Sequence, residues 1–318
     1  MSTRARPAVG TLAGMDHPAP PRPVTKLGLW AGDPASSPGR GPLERAAAVA
    51  AAAERAGFDS LWVTDEPVGP ASGPVGGVSV RIRGSAEAYS LLGALATRTH
   101  SIRLGAMPTG GEARHPAVLA KIVTGVDVIS HGRSVVALAP GPGDGGKGVA
   151  RLAEALQVCR AVLDDEEPRF RGRFYRVEGA VNHPRPVQRG GVPLVVVVGT
   201  GRGLDAALGD IVRRYADAVV VEGGDDEVAQ AAHAARVGAT TGGGVEAPRV
   251  IWTVRASPSG RPEPAGRLSW WSEDQLAGEL VHRLAAGADG CIVSVAGAGQ
   301  LDAIARLGAT LGGVMGSA

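Results

Sequence analysis

The residues with the clearest chemical meaning form a glycine-rich segment: Gly199, Thr200, Gly201, Arg202 and Gly203. They follow a run of valines and precede a helical pattern. Glycines in such a turn let backbone N–H groups point at an anion, and the start of a helix favours negative charge there. Arg202 adds a side chain suited to a bidentate phosphate contact. The segment indicates phosphate binding, and a tight turn that needs glycine only for its geometry is the alternative these residues leave open.

A second chemical feature is the pair of adjacent acids Asp65 and Glu66, which follows the predicted strand over residues 60–64. Neighbouring side chains on a strand point to opposite sides, so the pair is not expected to act as a dyad. We expect one carboxylate to face a ligand and the other to bond the following loop. Two solvated loop acids are the competing interpretation.

Nucleophiles and metal ligands are sparse in this chain. No two of its histidines have metal-ligand spacing, and no Ser-His-Asp or nucleophile-elbow pattern is present. The sequence predicts no metal site. An enzyme of this kind needs a cofactor to supply its chemistry.

Eight short aliphatic runs alternate with eight alanine-rich helical patterns, and these elements must position the residues above. The predicted strands cover residues 25–30, 60–64, 102–107, 134–139, 194–198, 218–221, 249–254 and 291–295. The predicted helices cover residues 43–56, 87–99, 116–129, 149–163, 204–216, 227–237, 275–286 and 301–311. Strict strand-then-helix order favours a parallel α/β sheet, and eight repeats favour a (β/α)8 TIM barrel. An open doubly wound sheet is the alternative.

In such a barrel, the loops that follow the strands form the active face. The candidate residues at these strand ends, besides the glycine-rich segment and the acid pair, are Trp30, Met107, Pro108, Thr109, Pro140, Gly141, Glu222 and Arg255. Trp30, Glu222 and Arg255 are the expected substrate contacts.

The domain organisation is simple. Residues 1–23 are rich in proline and are predicted to be a disordered tail. Residues 24–318 are predicted to form one barrel domain. Residues 170–177 alternate like a small hairpin, inserted between the fourth helix and the fifth strand.

Composition narrows the function classes. The formal net charge of the 318 residues is only +2, which gives no reason to expect nucleic acid as a partner. Cys159 and Cys291 fall in separate predicted elements, so neither a disulfide framework nor a zinc site is expected. No apolar run is long enough for a membrane span. We expect a cytoplasmic protein with a small-molecule or peptide-derived substrate, and a homodimer is left open.

Several segments together resemble the luciferase-like monooxygenase family. The resemblance runs from about residue 26 to residue 296. It is carried by Ala52–Val63, Ala94–Gly105, Arg114–Lys121, Asp127–Arg133, Gly172–Val177 and Pro184–Val187.

The resemblance implies a cofactor at the barrel mouth, either reduced FMN or the deazaflavin coenzyme F420. Asp65 and Glu66 match the family's catalytic pair beside the ring, with Glu66 standing where the family has histidine. The segment behind the ring matches Met107, Pro108 and Thr109, and Pro140 and Gly141 match the end of the fourth strand. The phosphate loop matches Gly199, Thr200 and Gly201.

The expected activity is that of an F420H2-dependent reductase acting on an activated C=C or C=N bond of a small molecule or natural-product intermediate, with a dehydroamino acid as one candidate. F420 carries a phosphate and an acidic tail, which suit an arginine-rich mouth, and an arginine- and alanine-rich composition is typical of actinobacteria. An FMNH2-dependent monooxygenase is the first alternative. A non-catalytic barrel that binds a flavin or a protein partner is the second.

The peptide bond between Met107 and Pro108 is the most specific structural prediction. F420 members hold a cis peptide at the matching position, and a cis bond costs less before proline than before other residues. We therefore predict a cis bond, against an ordinary trans proline that ends the strand. A cis bond would favour F420 over FMN.

Overall fold

The computed structural model describes most of the barrel but not every loop. The described residues are 24–32, 41–65, 86–108, 114–141, 146–199, 203–237, 247–256, 263–265, 268–295 and 300–317. The predicted tail over residues 1–23 lies outside them.

Eight parallel strands close into a barrel. They are β1 (Leu27–Gly32), β2 (Ser60–Asp65), β3 (Arg103–Pro108), β4 (Ser134–Leu138), β7 (Leu194–Val198), β8 (Ala218–Glu222), β9 (Arg249–Ala256) and β12 (Gly290–Ser294). Each pairs in parallel with the next in this order. The last strand, β12, pairs with β1 and closes the ring. The predicted (β/α)8 barrel is confirmed.

Helices alternate with these strands and surround them. They are α1 (Pro42–Arg55), α2 (Ala88–Ala96), α3 (Pro116–Ile129), α4 (Lys147–Asp164), α5 (Ala206–Tyr215), α6 (Asp225–Arg236), α7 (Glu273–Ala285) and α8 (Gln300–Ser317). None of the described helices is both long and apolar enough to cross a membrane. Cys159 and Cys291 are buried, and they lie in a helix (α4) and a strand (β12), as predicted.

Four short strands lie outside the barrel. The predicted hairpin is present as antiparallel β5 (Phe170–Arg171) and β6 (Arg176–Val177). The sequence did not indicate β10 (Glu263–Ala265) or β11 (Leu268–Trp271), because these runs are too short to show an alternating pattern. β11 pairs with the end of β9, with Trp270 opposite Arg255, two residues beyond Thr253, where the β8 pairing ends.

Side chains of the barrel strands divide into two layers because strand residues alternate between faces. One apolar cluster lies between the strands and the helices. A smaller cluster fills the barrel interior with Trp62, Met107, Val135, Ala137, Val195, Ala218, Val220, Ile251 and Ile292, among others. Strands that bury both faces read as continuous apolar runs, which is why the valine-rich segments were correctly predicted as parallel strands.

The tryptophan at the centre of the barrel needs a glycine beside it. Trp62 is fully buried, and its indole N–H donates to Ser60 Oγ at 3.0 Å. Gly105 is its partner on β3, and a Cβ at Gly105 would lie 2.5 Å from the Trp62 ring. Real Cβ atoms do not approach so closely, so the absent side chain makes room for the indole.

Carboxylates tie the amino-terminal ends of the strands to neighbouring backbone. At this end of the barrel, which we call the base, N–H groups before or at the start of a strand lack complete pairing within the sheet. Acidic side chains accept from them at 2.6–3.2 Å: Asp59 from Lys26 and Leu27, Glu54 from His100, Ser101 and Ile102, Asp217 from Leu194, and Asp289 from Val250. The base is therefore held by charge-assisted hydrogen bonds.

Candidate active site

The carboxyl-terminal ends of the strands form the opposite end of the barrel, which we call the mouth. Strand alternation assigns one side chain from most strands to the inward side at this level. These are Trp30 on β1, Thr64 on β2, Met107 on β3, Val197 on β7, Glu222 on β8, Arg255 on β9 and Ser294 on β12. Predicted residues from five different strands, including Gly199 just after β7, thus converge on one surface.

The floor of the mouth is mostly apolar. Met107 is buried in the interior cluster, and Trp30 and Val197 are half-buried against the same cluster. The Trp30 indole N–H donates to Thr64 Oγ1 at 3.1 Å, which fixes the ring plane at this end of β1. Such a floor can pack against a flat aromatic group.

Two charged residues, Glu222 and Arg255, face inward on the adjacent strands β8 and β9. Both are half-buried, and their positions are offset because Glu222 is level with Thr253 rather than with Arg255. They lie across the ring of strands from Met107, whereas most of the predicted cofactor contacts lie at the ends of β3 and β4. Their predicted role as substrate contacts stays a prediction.

The segment behind Glu222 is braced from the helix side. Trp252 on β9 donates its indole N–H to the Gly223 carbonyl at 3.1 Å. The Arg283 guanidinium lies 5.2 Å from the centroid of that ring and also pairs with Asp225 at the start of α6. These contacts hold the turn after β8.

Asp65 does not face the mouth. Leu61 and Val63 of β2 lie in the helix-facing cluster, and Asp65 shares their side of the strand. Both of its carboxylate oxygens accept from Arg114, at 2.7 and 3.1 Å. The geometry makes Asp65 the anchor of Arg114, and Glu66, the other predicted catalytic acid, lies outside the described residues.

Arg114 links three elements around the mouth. Besides Asp65 at the end of β2, its guanidinium bonds Glu87 at 2.7 Å, and Glu87 caps the first turn of α2. It also lies 5.1 Å from the centroid of the Tyr89 ring. Because Arg114 itself directly precedes the start of α3, this cluster fixes β2, α2 and α3 relative to one another.

The surroundings of Glu87 and Arg114 in this cluster favour the charged form of each side chain. Partial burial raises the pKa of Glu87, but hydrogen bonds from the Ser90 and Tyr89 amides and the Arg114 charge outweigh it, so the pKa lies below its ordinary value. Burial lowers the pKa of Arg114, yet the Asp65 carboxylate raises it to a net value above the ordinary one. Burial and the Asp65 charge raise the pKa of Tyr89, which stays a neutral phenol.

The strand ends at β4 and β7 expose backbone. Pro140 and Gly141 are half-buried after β4, and the first turn of α4 approaches closely, since a Cβ on Gly148 would lie 2.9 Å from the Gly141 carbonyl oxygen. Gly199 is exposed after β7, and among the described residues, its chain neighbours aside, no group lies within 4 Å of where its Cβ would be. Of the predicted phosphate loop, the structure describes Gly199 and Gly203, and no other described side chain crowds Gly199.

Four other predicted site residues lie outside the residues that the structure describes, and one predicted backbone feature is absent. Thr109, Thr200, Gly201 and Arg202 lie outside the described residues. The predicted cis bond between Met107 and Pro108 is wrong: within the described part of the chain, the cis peptide bond is His183–Pro184. Pro108 continues the β2–β3 pairing opposite Asp65, where a trans proline ends a strand without harm.

Sequence reasoning missed Arg114, Thr64 and Ser294 as parts of this end of the barrel. Arg114 was noticed only within the resembling segment Arg114–Lys121, and its partners lie 49 and 27 positions away. No short-range spacing signals such a contact. Strand alternation, counted outward from Trp62, was the one signal that could have placed Thr64 inside.

Comparisons with known proteins agree with this architecture. A sequence profile described as luciferase-like monooxygenase matches residues 26–288. A phthiodiolone/phenolphthiodiolone dimycocerosates ketoreductase from Mycobacterium sp. (strain JLS) is 29% identical over 213 residues, which are 61% of this chain and 54% of that protein. A 5,10-methylenetetrahydromethanopterin reductase from Archaeoglobus fulgidus is 26% identical over 154 residues, 45% of this chain and 40% of that protein. The chain spans about half the length of the curated relatives it matches.

Solved structures share the fold. An F420-dependent secondary alcohol dehydrogenase in complex with an F420-acetone adduct matches with a TM-score of 0.71 at 15% identity, covering 91% of this chain and 99% of that one. A coenzyme F420 dependent tetrahydromethanopterin reductase from Methanopyrus kandleri matches with a TM-score of 0.66 at 14% identity, covering 89% and 97%. A monooxygenase from Streptomyces bottropensis matches with a TM-score of 0.69 at 17% identity, covering 92% and 99%. Because the family profile covers well over half of the sequence, the chain belongs to the luciferase-like monooxygenase family.

Proposed function

We propose that this protein is an F420H2-dependent reductase that transfers a hydride to an activated C=C or C=N bond of a small or peptide-derived molecule. The observation that carries the proposal is the mouth itself: an apolar floor of Trp30, Met107 and Val197 beside open glycine backbone at Gly199. A flat ring that bears a phosphate fits such a surface. The relatives support it, since two of them are named as reductases and two solved neighbours as F420-dependent enzymes.

The residues present fit the cofactor. Met107 and Val197 would pack against one ring face, with Pro108, Thr109, Pro140 and Gly141 along the same side of the mouth. The phosphate would bind at Gly199, Thr200, Gly201 and Arg202, through backbone N–H groups and a guanidinium. When bound, reduced F420 supplies a hydride.

The chain itself would supply orientation and a proton. In this proposal Glu66 donates a proton from its carboxyl group to the reduced substrate atom. Asp65, which directly precedes Glu66 in the sequence, does not touch the substrate but holds Arg114. Trp30, Glu222 and Arg255 would contact the substrate, with Glu222 and Arg255 on the far side of the mouth from Met107.

An anaerobic assay of F420H2 oxidation tests the function directly. Acceptors with an activated C=C, C=N or C=O bond are added in turn, and we expect turnover with at least one of the first two classes. Glu66→Gln should lower turnover about 100-fold, the effect expected for loss of a general acid. Asp65→Asn serves as the matched control and should change stability more than the chemical step.

Two results would replace the proposal with an alternative. Oxygen consumption driven by FMNH2, with no oxidation of F420H2, would indicate a flavin monooxygenase. Cofactor binding without turnover of any acceptor, or no binding of either cofactor, would indicate a non-catalytic barrel that binds a flavin or a protein partner.

A further inference from the structure

Three inward-facing residues stand side by side on neighbouring strands of the mouth. Ser294 on β12 is the register partner of Arg255 on β9 and also of Trp30 on β1. Register partners on parallel strands point to the same face. Arg255, Ser294 and Trp30 therefore form one contiguous surface at one level of the barrel.

Arg255 differs from the other partly buried arginines. Within the part of the chain that the structure describes, its side chain makes no hydrogen bond or ion pair. Other buried or half-buried arginines bond groups of the chain: Arg114 bonds Asp65 and Glu87, Arg133 bonds Thr99 and backbone carbonyls, Arg160 bonds Asp217, and Arg283 bonds Glu279 and Asp225. Partial burial of an unpaired charge is costly, so a partner from outside the chain would offset that cost.

The surroundings of Arg255 define what could bind there. Below it, Ile251 and Ile292 close the barrel interior with apolar groups. Glu222 on β8 is one step lower, level with Thr253, and makes no ion pair with Arg255. The Ser294 hydroxyl is a second donor beside the guanidinium, and the half-buried Trp30 ring offers an apolar wall. Such a set suits a compact anion attached to a carbon skeleton.

We propose that Arg255 and Ser294 bind an anionic group of the substrate, a carboxylate or a phosphate, while Trp30 packs against the adjoining carbon atoms. Calling the ligand a substrate rests on the proposed function. In the closed ring of eight strands, β9 lies opposite β3. An anion held at Arg255 therefore lies across the mouth from Met107, away from the side assigned to the cofactor ring.

The test uses inorganic phosphate and acetate as probes on the full-length protein saturated with F420, at constant ionic strength, with binding followed by calorimetry. We expect Arg255→Gln to weaken binding of at least one probe about tenfold, as for loss of a charge-assisted contact. Ser294→Ala should weaken it about threefold, and Arg255→Lys should retain part of the affinity. Arg98→Gln is the matched control because Arg98 is an exposed arginine after α2, at the base. Equal probe affinity in Arg255→Gln and Arg98→Gln would overturn the proposal.

A second arm separates the substrate from the cofactor as the source of the anion. The affinities of F420 and of its deazaflavin nucleoside, which lacks the phosphate and the tail, are measured for Arg255→Gln and for the control Arg98→Gln. We expect Arg255→Gln to leave both affinities unchanged. A loss of affinity for F420 but not for the nucleoside would assign Arg255 to the cofactor and overturn the proposal.

The proposed function and this anion site fail in different ways. If wild-type protein does not bind F420, the proposed function fails, and the probe titration on cofactor-free protein still decides whether Arg255 binds an anion. Thermal unfolding of each variant identifies a misfolded protein, and Arg255→Lys then provides the folded comparison.

Discussion

The base and the mouth of this barrel both carry acidic and basic side chains, but they use them differently. At the base, Asp59, Glu54, Asp217 and Asp289 accept hydrogen bonds from backbone amides around the strand starts. At the mouth, Glu222 and Arg255 project inward on adjacent strands without pairing with each other. Charges that bond the chain itself stabilise the fold, whereas a charge such as that of Arg255, which faces a concave surface without a partner among the described residues, is available to a ligand.

The Arg114 cluster stands between these two cases. It lies at the mouth end of the barrel, yet its charges are paired within the chain, between Asp65, Glu87 and the Tyr89 ring. It shows that position along the barrel axis does not decide the role of a charge. The side of the strand decides it, because Asp65 faces the helices and Glu222 follows the inward-facing Val220.

The largest effect is expected at Asp127, which is fully buried near the base. Its carboxylate accepts from the Val187 and Gln188 amides, the Gln188 side chain and Ser134 Oγ at 2.6–3.2 Å. Asp127→Ala removes the buried carboxylate that accepts all four of these hydrogen bonds and should lower the free energy of unfolding by about 3 kcal/mol. Urea denaturation measures it, with the exposed Asp302→Ala as control. Cofactor affinity below the unfolding transition should not change.

A smaller effect on stability, with an added effect on binding, is expected at Arg114. Arg114→Met removes the bidentate contact with Asp65 and the pairing with Glu87, at a cost of about 1–3 kcal/mol for partly buried charge-assisted bonds. Because it releases β2 and α2 from each other, F420 affinity should also fall. Arg114→Lys should restore the charge but not the fork geometry, so it should recover only part of both losses. If Arg114→Met leaves the F420 affinity unchanged, the Arg114 cluster only stabilises the fold, as the carboxylates of the base do.

The smallest effect is expected at Glu54 and depends on pH. Partial burial raises the pKa of Glu54, but amide hydrogen bonds from Ile102, Ser101 and His100 lower it to a net value below its ordinary 4.5. A folded-state pKa below the unfolded one stabilises the fold above the unfolded pKa, and this gain is lost as pH falls through the folded pKa. Glu54→Gln should therefore cost about 1 kcal/mol at neutral pH. In thermal unfolding, the difference from wild type should shrink below pH 4.5, and a constant difference would contradict this account.

The barrel was predictable from sequence because its signals are local and repeated. Valine runs, glycine after α1 and proline at the start of α3 each mark an element, and His115 caps α3. The weaker pattern of β10 and β11 was missed, and α8 extends to Ser317 because its apolar spacing continues beyond the predicted end. A single domain over residues 24–318 and a homodimer stay predictions.

The candidate site was only partly predictable. Strand ends could be located, which brought Trp30, Met107, Glu222 and Arg255 to the same surface. The partner of Asp65 could not be found, because Arg114 approaches it through space from 49 residues away. The trans Met107–Pro108 bond removes the sequence argument that favoured F420 over FMN, so the choice between the cofactors now depends on direct measurement.

A side-by-side equilibrium titration of the full-length protein with F420 and FMN tests the central claim that the mouth holds a deazaflavin. Fluorescence of each cofactor reports binding, and Gly201→Trp tests whether binding occurs at the proposed phosphate loop. We expect F420 to bind at least about tenfold more tightly than FMN, and Gly201→Trp to weaken F420 binding by more than about tenfold, or about 1.4 kcal/mol. Tighter binding of FMN, or F420 binding that is unchanged in Gly201→Trp, would contradict the account.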